Sequence, residues 1–149
     1  MAYKASDIAK LLIKKAEQVS YGEEFMTNMK LQKMLYYQQG FHLAYFGEPL
    51  FDEEIEAWMY GPVVPSVYDE YKSNGKNGIR LESEFEFEFK SKEEEALFNE
   101  VFKVYGVYSA LGLMNMTHSE APWKNTKTGE GNVIPKSKIK TFFRTRLKK

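Results

Sequence analysis

The chain has 149 residues, the length of one domain that buries roughly two-thirds of the surface its unfolded form exposes. It carries 21 Lys and Arg against 21 Asp and Glu, with 43% apolar residues, which excludes intrinsic disorder and argues against coating nucleic acid or a membrane by bulk charge. Cysteine is absent and His42 and His118 are the only imidazoles, which excludes a disulfide framework, a thiol nucleophile, an iron–sulfur cluster and a multi-histidine metal site, and no cofactor is expected.

Ser6 to Ser20 reads as the first helix, capped by Ser6 or Asp7, with Ile8, Leu11, Leu12, Ala16 and Val19 on one face and Tyr21-Gly22 as its stop. Thr27 to Phe46 is the longest helix, capped by Thr27 or Asn28 and closed by Gly47. Leu31, Met34, Leu35, Gln38, Phe41, His42 and Tyr45 form its stripe. A span of ~30 Å makes it the central helix, and Gly40 inside it predicts close approach of another backbone. Ile55 to Tyr60 reads as a short strand, and Gly61-Pro62-Val63-Val64-Pro65 as a rigid turn leading to a short helix that stops at Asn74-Gly75.

Phe85, Phe87 and Phe89 alternate with Glu84, Glu86 and Glu88, the period of a strand. Asn77-Gly78 could turn a hairpin, with Ile79 to Leu81 as its other arm or as an extension. Ser91-Lys92-Glu93-Glu94 matches a capping box opening a helix whose stripe runs through Leu97, Phe98, Val101, Val104, Tyr105 and Tyr108. Ser109 starts a further helix that Ala121-Pro122-Trp123 breaks. Ile134-Pro135 introduces a last one, with Ile139, Phe142, Phe143 and Leu147 inward and Lys and Arg outward. The expectation is one predominantly helical α+β domain over residues 1–149, with about six helices and one small antiparallel β element.

Chemistry is sparse. There is no glycine-rich phosphate loop and no G-x-S-x-G elbow, and the runs Asp52-Glu53-Glu54 and Glu93-Glu94-Glu95 read as solvated, so an enzyme is not expected. His118 has two readings: a general base oriented by Glu120 or another carboxylate, or a neutral imidazole bridging a helix end to the Pro122-Trp123 turn. With no nucleophile in view, the second is preferred, and His42 inside the long helix reads as a satisfied structural residue. Charge is uneven: Glu82 to Glu100 holds eight Glu against two Lys, and Lys136 to Lys149 holds seven basic residues and no acid. The basic tail is short and no base-reading helix-turn-helix is evident, so no nucleic-acid partner is expected. No window approaches the ~20 apolar residues of a spanning helix and no signal core opens the chain, so a cytoplasmic location without membrane contact is expected.

Three pieces in fixed order carry a resemblance: K-L-Q-K-x-L-Y-Y at 30–37, A-W-x-Y-G-P-V at 57–63 and T-H-x-x-x-P-W at 117–123. Together they resemble the Panacea antitoxin domain family, with its SocA-like proteolytic adaptors and phage-associated GepA-like proteins. The resemblance implies a mainly helical domain of bacteria and prophages that neutralises a toxin encoded beside it. In SocA-like members it also implies delivery of that toxin to a AAA+ protease. Accessory DNA-binding domains occur in relatives, and none is expected within these 149 residues.

The residues add a physical reading of the same surface. Ten Tyr and two Trp exceed what the core of such a domain needs, and both residue types anchor protein contacts. Lys30 and Lys33, three apart on a helix, can reach one acidic group together, and Tyr36 lies in the same motif. The stiff Gly61-Pro62 turn can present Tyr60 and Tyr68 at low entropic cost. His118 and Trp123 complete the candidate partner-binding set. Fold maintenance is the competing reading for each. The chain is thus expected to be an antitoxin that binds a cognate protein toxin, with a AAA+ adaptor or a repressor using the basic tail as alternatives.

Overall fold

A computed structural model of the chain describes residues 2–19 and 26–147. Helix α1 (Ala5–Val19) buries Ile8, Ala9, Leu12, Ile13 and Ala16 on one face. Its first turn is capped from a distance: the Ala5 N–H donates to Glu53 Oε2 at 2.9 Å, not to the expected Ser6 or Asp7. The stop expected at Tyr21-Gly22 lies outside the described residues.

Helix α2 (Asn28–Phe46) is closed at both ends as its sequence predicts. Thr27 accepts from the Lys30 N–H, and Gly47, at φ 80°, returns its N–H to Leu43. Its burial goes further than one stripe. Every residue from Leu31 to Gly40 is buried, whereas Tyr45, expected on the stripe, is 63% exposed. A helix enclosed on all sides must satisfy its polar side chains internally. Gln39 accepts from the Leu50 N–H and donates to the Phe51 carbonyl, each at 2.7 Å. Gln38 donates to the Phe98 carbonyl, and Gln32 accepts from the Val64 N–H. His42 is satisfied on both nitrogens, by the Glu48 carbonyl and by Glu94 at 2.8 Å. Glu94 is therefore not a solvated acid: it also accepts from the Tyr3 hydroxyl, tying the start of the chain to the helix that Ser91 caps.

Strands β1 (Glu56–Trp58) and β2 (Gly61–Val63) form an antiparallel hairpin. The expected rigid turn at Gly61-Pro62-Val63 is the second strand, and Met59-Tyr60 makes the turn. Proline is tolerated because Pro62 faces Ala57, whose N–H and C=O point away to Asn132 and Gly129, so this position asks for no ladder donor. Helix α3 (Pro65–Tyr71) follows with Pro65 at its first turn, then a 3₁₀ turn, Lys72–Asn74, ending at Gly75.

The segment expected as the clearest strand is extended but unpaired: residues 79–90 belong to no strand. Phe85, Phe87 and Phe89 do face inward and the alternating Glu residues outward, with Phe87 and Phe89 packed on Tyr3. Ile79 bonds to Met26 and is not the arm of a hairpin. Lys14 takes the Phe85 carbonyl and Glu17 the Leu81 N–H, so helix α1 holds the segment that a partner strand was expected to hold.

Helix α4 (Lys92–Tyr105) starts at Ser91, which accepts from the Glu94 N–H, and ends before Tyr108. Helix α5 (Ala110–Ser119) is capped by Ser109. Ala121-Pro122-Trp123 does end α5 but itself forms a one-turn helix, α6 (Ala121–Lys124). Helix α7 (Lys136–Arg144) begins after Pro135 and buries Ile139 and Phe143. The backbone expected against Gly40 is the ring of Phe143, which a Cβ at that position would overlap. The fold is α+β and mainly helical, with α1, α4, α5, α7 and the hairpin packed around α2.

Candidate partner-binding site

The three sequence pieces meet in space. Lys33 leaves α2 beneath the hairpin and is 1% exposed. A Cβ built on Gly61 would stand 2.8 Å from Lys33 Cε and 3.1 Å from Thr117 Oγ1, so the bare Cα of Gly61, at φ 116°, makes room for the lysine and for α5 together. No carboxylate among the described residues lies within ion-pair distance of Lys33. Burial alone lowers its ammonium from 10.5 to about 8.

One turn on, Tyr36 and Tyr37 donate to the two oxygens of Glu120, each at 3.0 Å. Tyr37 also stacks on Tyr105 with centroids 4.1 Å apart. Burial raises the Glu120 carboxyl, and the two phenols and Arg146 only partly oppose it. Burial and the Glu120 charge push both phenols far up. The cluster is a fixed polar knot inside the core, joining α2 to the α5–α6 junction.

Trp123 donates its indole N–H to the Trp58 carbonyl at 2.7 Å, and His118 stacks on the Trp123 ring at 4.0 Å. Glu120 is occupied by the tyrosines, so it does not orient His118, and the general-base arrangement is absent. The imidazole packs the end of α5 onto the Pro122-Trp123 turn, as the bridging reading expects. Its Nε2 is buried with no hydrogen-bond partner among the described residues. Tyr68 is half-buried edge-on to Trp58 at 5.0 Å, and its carbonyl accepts from Asn28.

The expectation that Lys30 and Lys33 converge on one acid is overturned. Lys30 reaches the Gly106 carbonyl at 2.6 Å, while Lys33 turns under the hairpin. Lys33, Tyr36, Gly61 and Pro62 are buried, and Tyr60 is 60% exposed at the hairpin tip beside Met59. The motifs thus contribute mostly inward contacts, with Tyr60 as their outward face.

Sequence reasoning missed Gln32, Asn28, Tyr37 and Thr117, although all but Asn28 stand inside the quoted motifs, and it gave Glu120 to His118 when its partners are Tyr36 and Tyr37. It also missed the exposed corner between α4 and α5, where Val104, Val107, Tyr108 and Leu111 project; Val107 is 80% exposed. Among the described residues, no three His, Asp or Glu side chains could hold a metal, and no helix is long and apolar enough to cross a membrane.

Known proteins give the same grouping of residues a context. The family profile for the antitoxin SocA-like, Panacea domain matches residues 31–124, which span all three motifs except Lys30. Antitoxin SocA of Caulobacter vibrioides (strain NA1000 / CB15N) is 39% identical over 75 residues, covering 50% of this chain and 38% of that protein. The match therefore spans well under half the length of that relative. No solved structure matches. The chain belongs to the antitoxin SocA-like, Panacea domain family.

Proposed function

We propose that this protein is the antitoxin of a two-gene pair, acting in the cytoplasm by gripping a protein toxin directly. Family membership carries the reading, supported by a surface suited to it. Apolar side chains project at the hairpin tip (Met59, Tyr60) and at the α4–α5 corner (Val107, Leu111), and exposed apolar patches on a folded domain mark contact sites. Both patches sit on elements braced from within, the hairpin by Lys33 and Trp123 and the corner by Lys30. Little ordering entropy is then left for binding to offset. The reading is non-catalytic: Lys33 and Glu120 are enclosed, and the hydroxyls flanking His118, on Thr117 and Ser119, donate to backbone carbonyls of their own helix.

The test is co-expression of the adjacent reading frame with and without this chain. Growth arrest by the frame alone and recovery in the pair is the expected result. A frame that is harmless alone, or lethal in both cases, removes the reading. Toxin half-life in cells with and without an intact AAA+ protease then separates blocking from delivery.

A further inference from the structure

The outer faces of α6 and α7 enclose a groove of about 490 Å³. Its lining shares Pro122 with the third motif and includes none of the exposed apolar residues of the hairpin tip or the α4–α5 corner. Its floor is Pro122 and the ring of Phe142; its walls carry Asn125, Ser137, Thr141 and Lys138. An apolar floor with a few polar groups at fixed places is the usual make-up of a recognition site. The side chains of Asn125, Ser137 and Thr141 make no hydrogen bond among the described residues, so they are available to the backbone of a guest. The walls from Ser137 to Thr145 cover two turns of α7, ~12 Å, which fits an extended segment of about four residues.

Charge selects the guest. Among the described residues, Lys138 is the only ionisable side chain lining the groove. The other α7 cations divide: Lys136 is held by Glu54 and the Asp52 carbonyl, and Lys140 by the Gly47 carbonyl, whereas Lys138 and Arg144 have no acceptor among the described residues. Arg146 lies over the Phe142 ring at 4.7 Å. Glu120, next to the groove in sequence, turns inward to the tyrosines and forms no ion pair with Lys138.

We propose that the α6–α7 groove seats a short acidic segment of the protein partner, an apolar side chain on Pro122 and Phe142 and a carboxylate on Lys138. This rests on the antitoxin reading, since the partner is taken to be the product of the adjacent reading frame. The test is calorimetric titration of that purified product into the full chain and three variants. Lys138→Glu reverses the charge, Thr141→Trp fills the groove, and Lys72→Glu reverses an exposed charge elsewhere.

The expected result is a Kd raised about tenfold or more by each groove variant, unchanged within about twofold by Lys72→Glu, with thermal midpoints alike. Wild-type affinity should also weaken with added salt more than that of Lys138→Glu. Retention of wild-type affinity by both groove variants overturns the groove while leaving the antitoxin reading intact. Failure of the wild-type chain to bind removes both. Light scattering in which the groove variants dissolve a wild-type dimer without moving partner affinity assigns the groove to a second copy and overturns the proposal.

Discussion

Lys33 and Glu120 are an ammonium and a carboxyl buried near the meeting of motifs, and they are handled differently. Glu120 receives two phenolic hydrogens. Its folded pKa is raised, so its contribution is fully present below the ordinary value and is lost as pH rises through the folded one. Lys33 has no such compensation. The folded chain releases its proton near pH 8 and the unfolded chain near 10.5, so the unfolded state binds more protons between those values and stability climbs with pH there. Below about 8 the full desolvation penalty is present. Lys33→Met should therefore stabilise the protein at neutral pH by about 1–3 kcal/mol, a gain that shrinks toward pH 10. Urea melts of both chains at the two pH values measure it, and a destabilised methionine variant at neutral pH would mean that the ammonium has an acceptor. On a helical wheel Lys33 resembles any surface lysine. What encloses it is a glycine 28 positions later, and no local pattern reports that.

Elements were legible where their signals are local. Thr27, Ser91 and Ser109 cap helices, Gly47 ends one and Pro65 opens one, because each acts through backbone groups within four residues. The Phe85–Phe89 run shows the limit. A period of two reports which side chains are buried, and it did so correctly, but a strand also needs a neighbouring edge, and here α1 occupies that place. The hairpin was hidden for the opposite reason: Pro62 reads as a breaker unless its register is known. Gly40 signalled close approach without saying to what. Alanine there gains about 1 kcal/mol of helix propensity, but its methyl overlaps the Phe143 ring, and overpacking costs about 1–3 kcal/mol. The second effect should win, leaving Gly40→Ala destabilised. A double-mutant cycle with Phe143→Leu should recover part of the loss, and additive single effects would place the strain elsewhere.

At the scale of the whole molecule, one helix organises everything. The side chains of α2 bond to backbone at Leu50, Phe51, Val64, Tyr68, Phe98 and Gly106, so this single segment both fills the core and satisfies the loops around it. Losing α2 means losing those bonds and the burial together, whereas the extended segment from 82 to 89 is held by side chains and one lysine bond. Amides exchange with solvent through the cheapest opening that frees them, and openings range from near zero to the global unfolding free energy. The amides of Leu31 to Ala44 should therefore exchange only through global unfolding, with a denaturant dependence equal to that of the melt. Those of Glu84, Glu86 and Glu88, which bond to nothing among the described residues, should exchange near the rate of an unstructured chain. Hydrogen-exchange mass spectrometry resolves the two classes. Strong protection across 82–89 would show that the segment is paired in solution, and weak protection across α2 would remove it as the axis on which the hairpin, the α5–α6 junction and α7 depend.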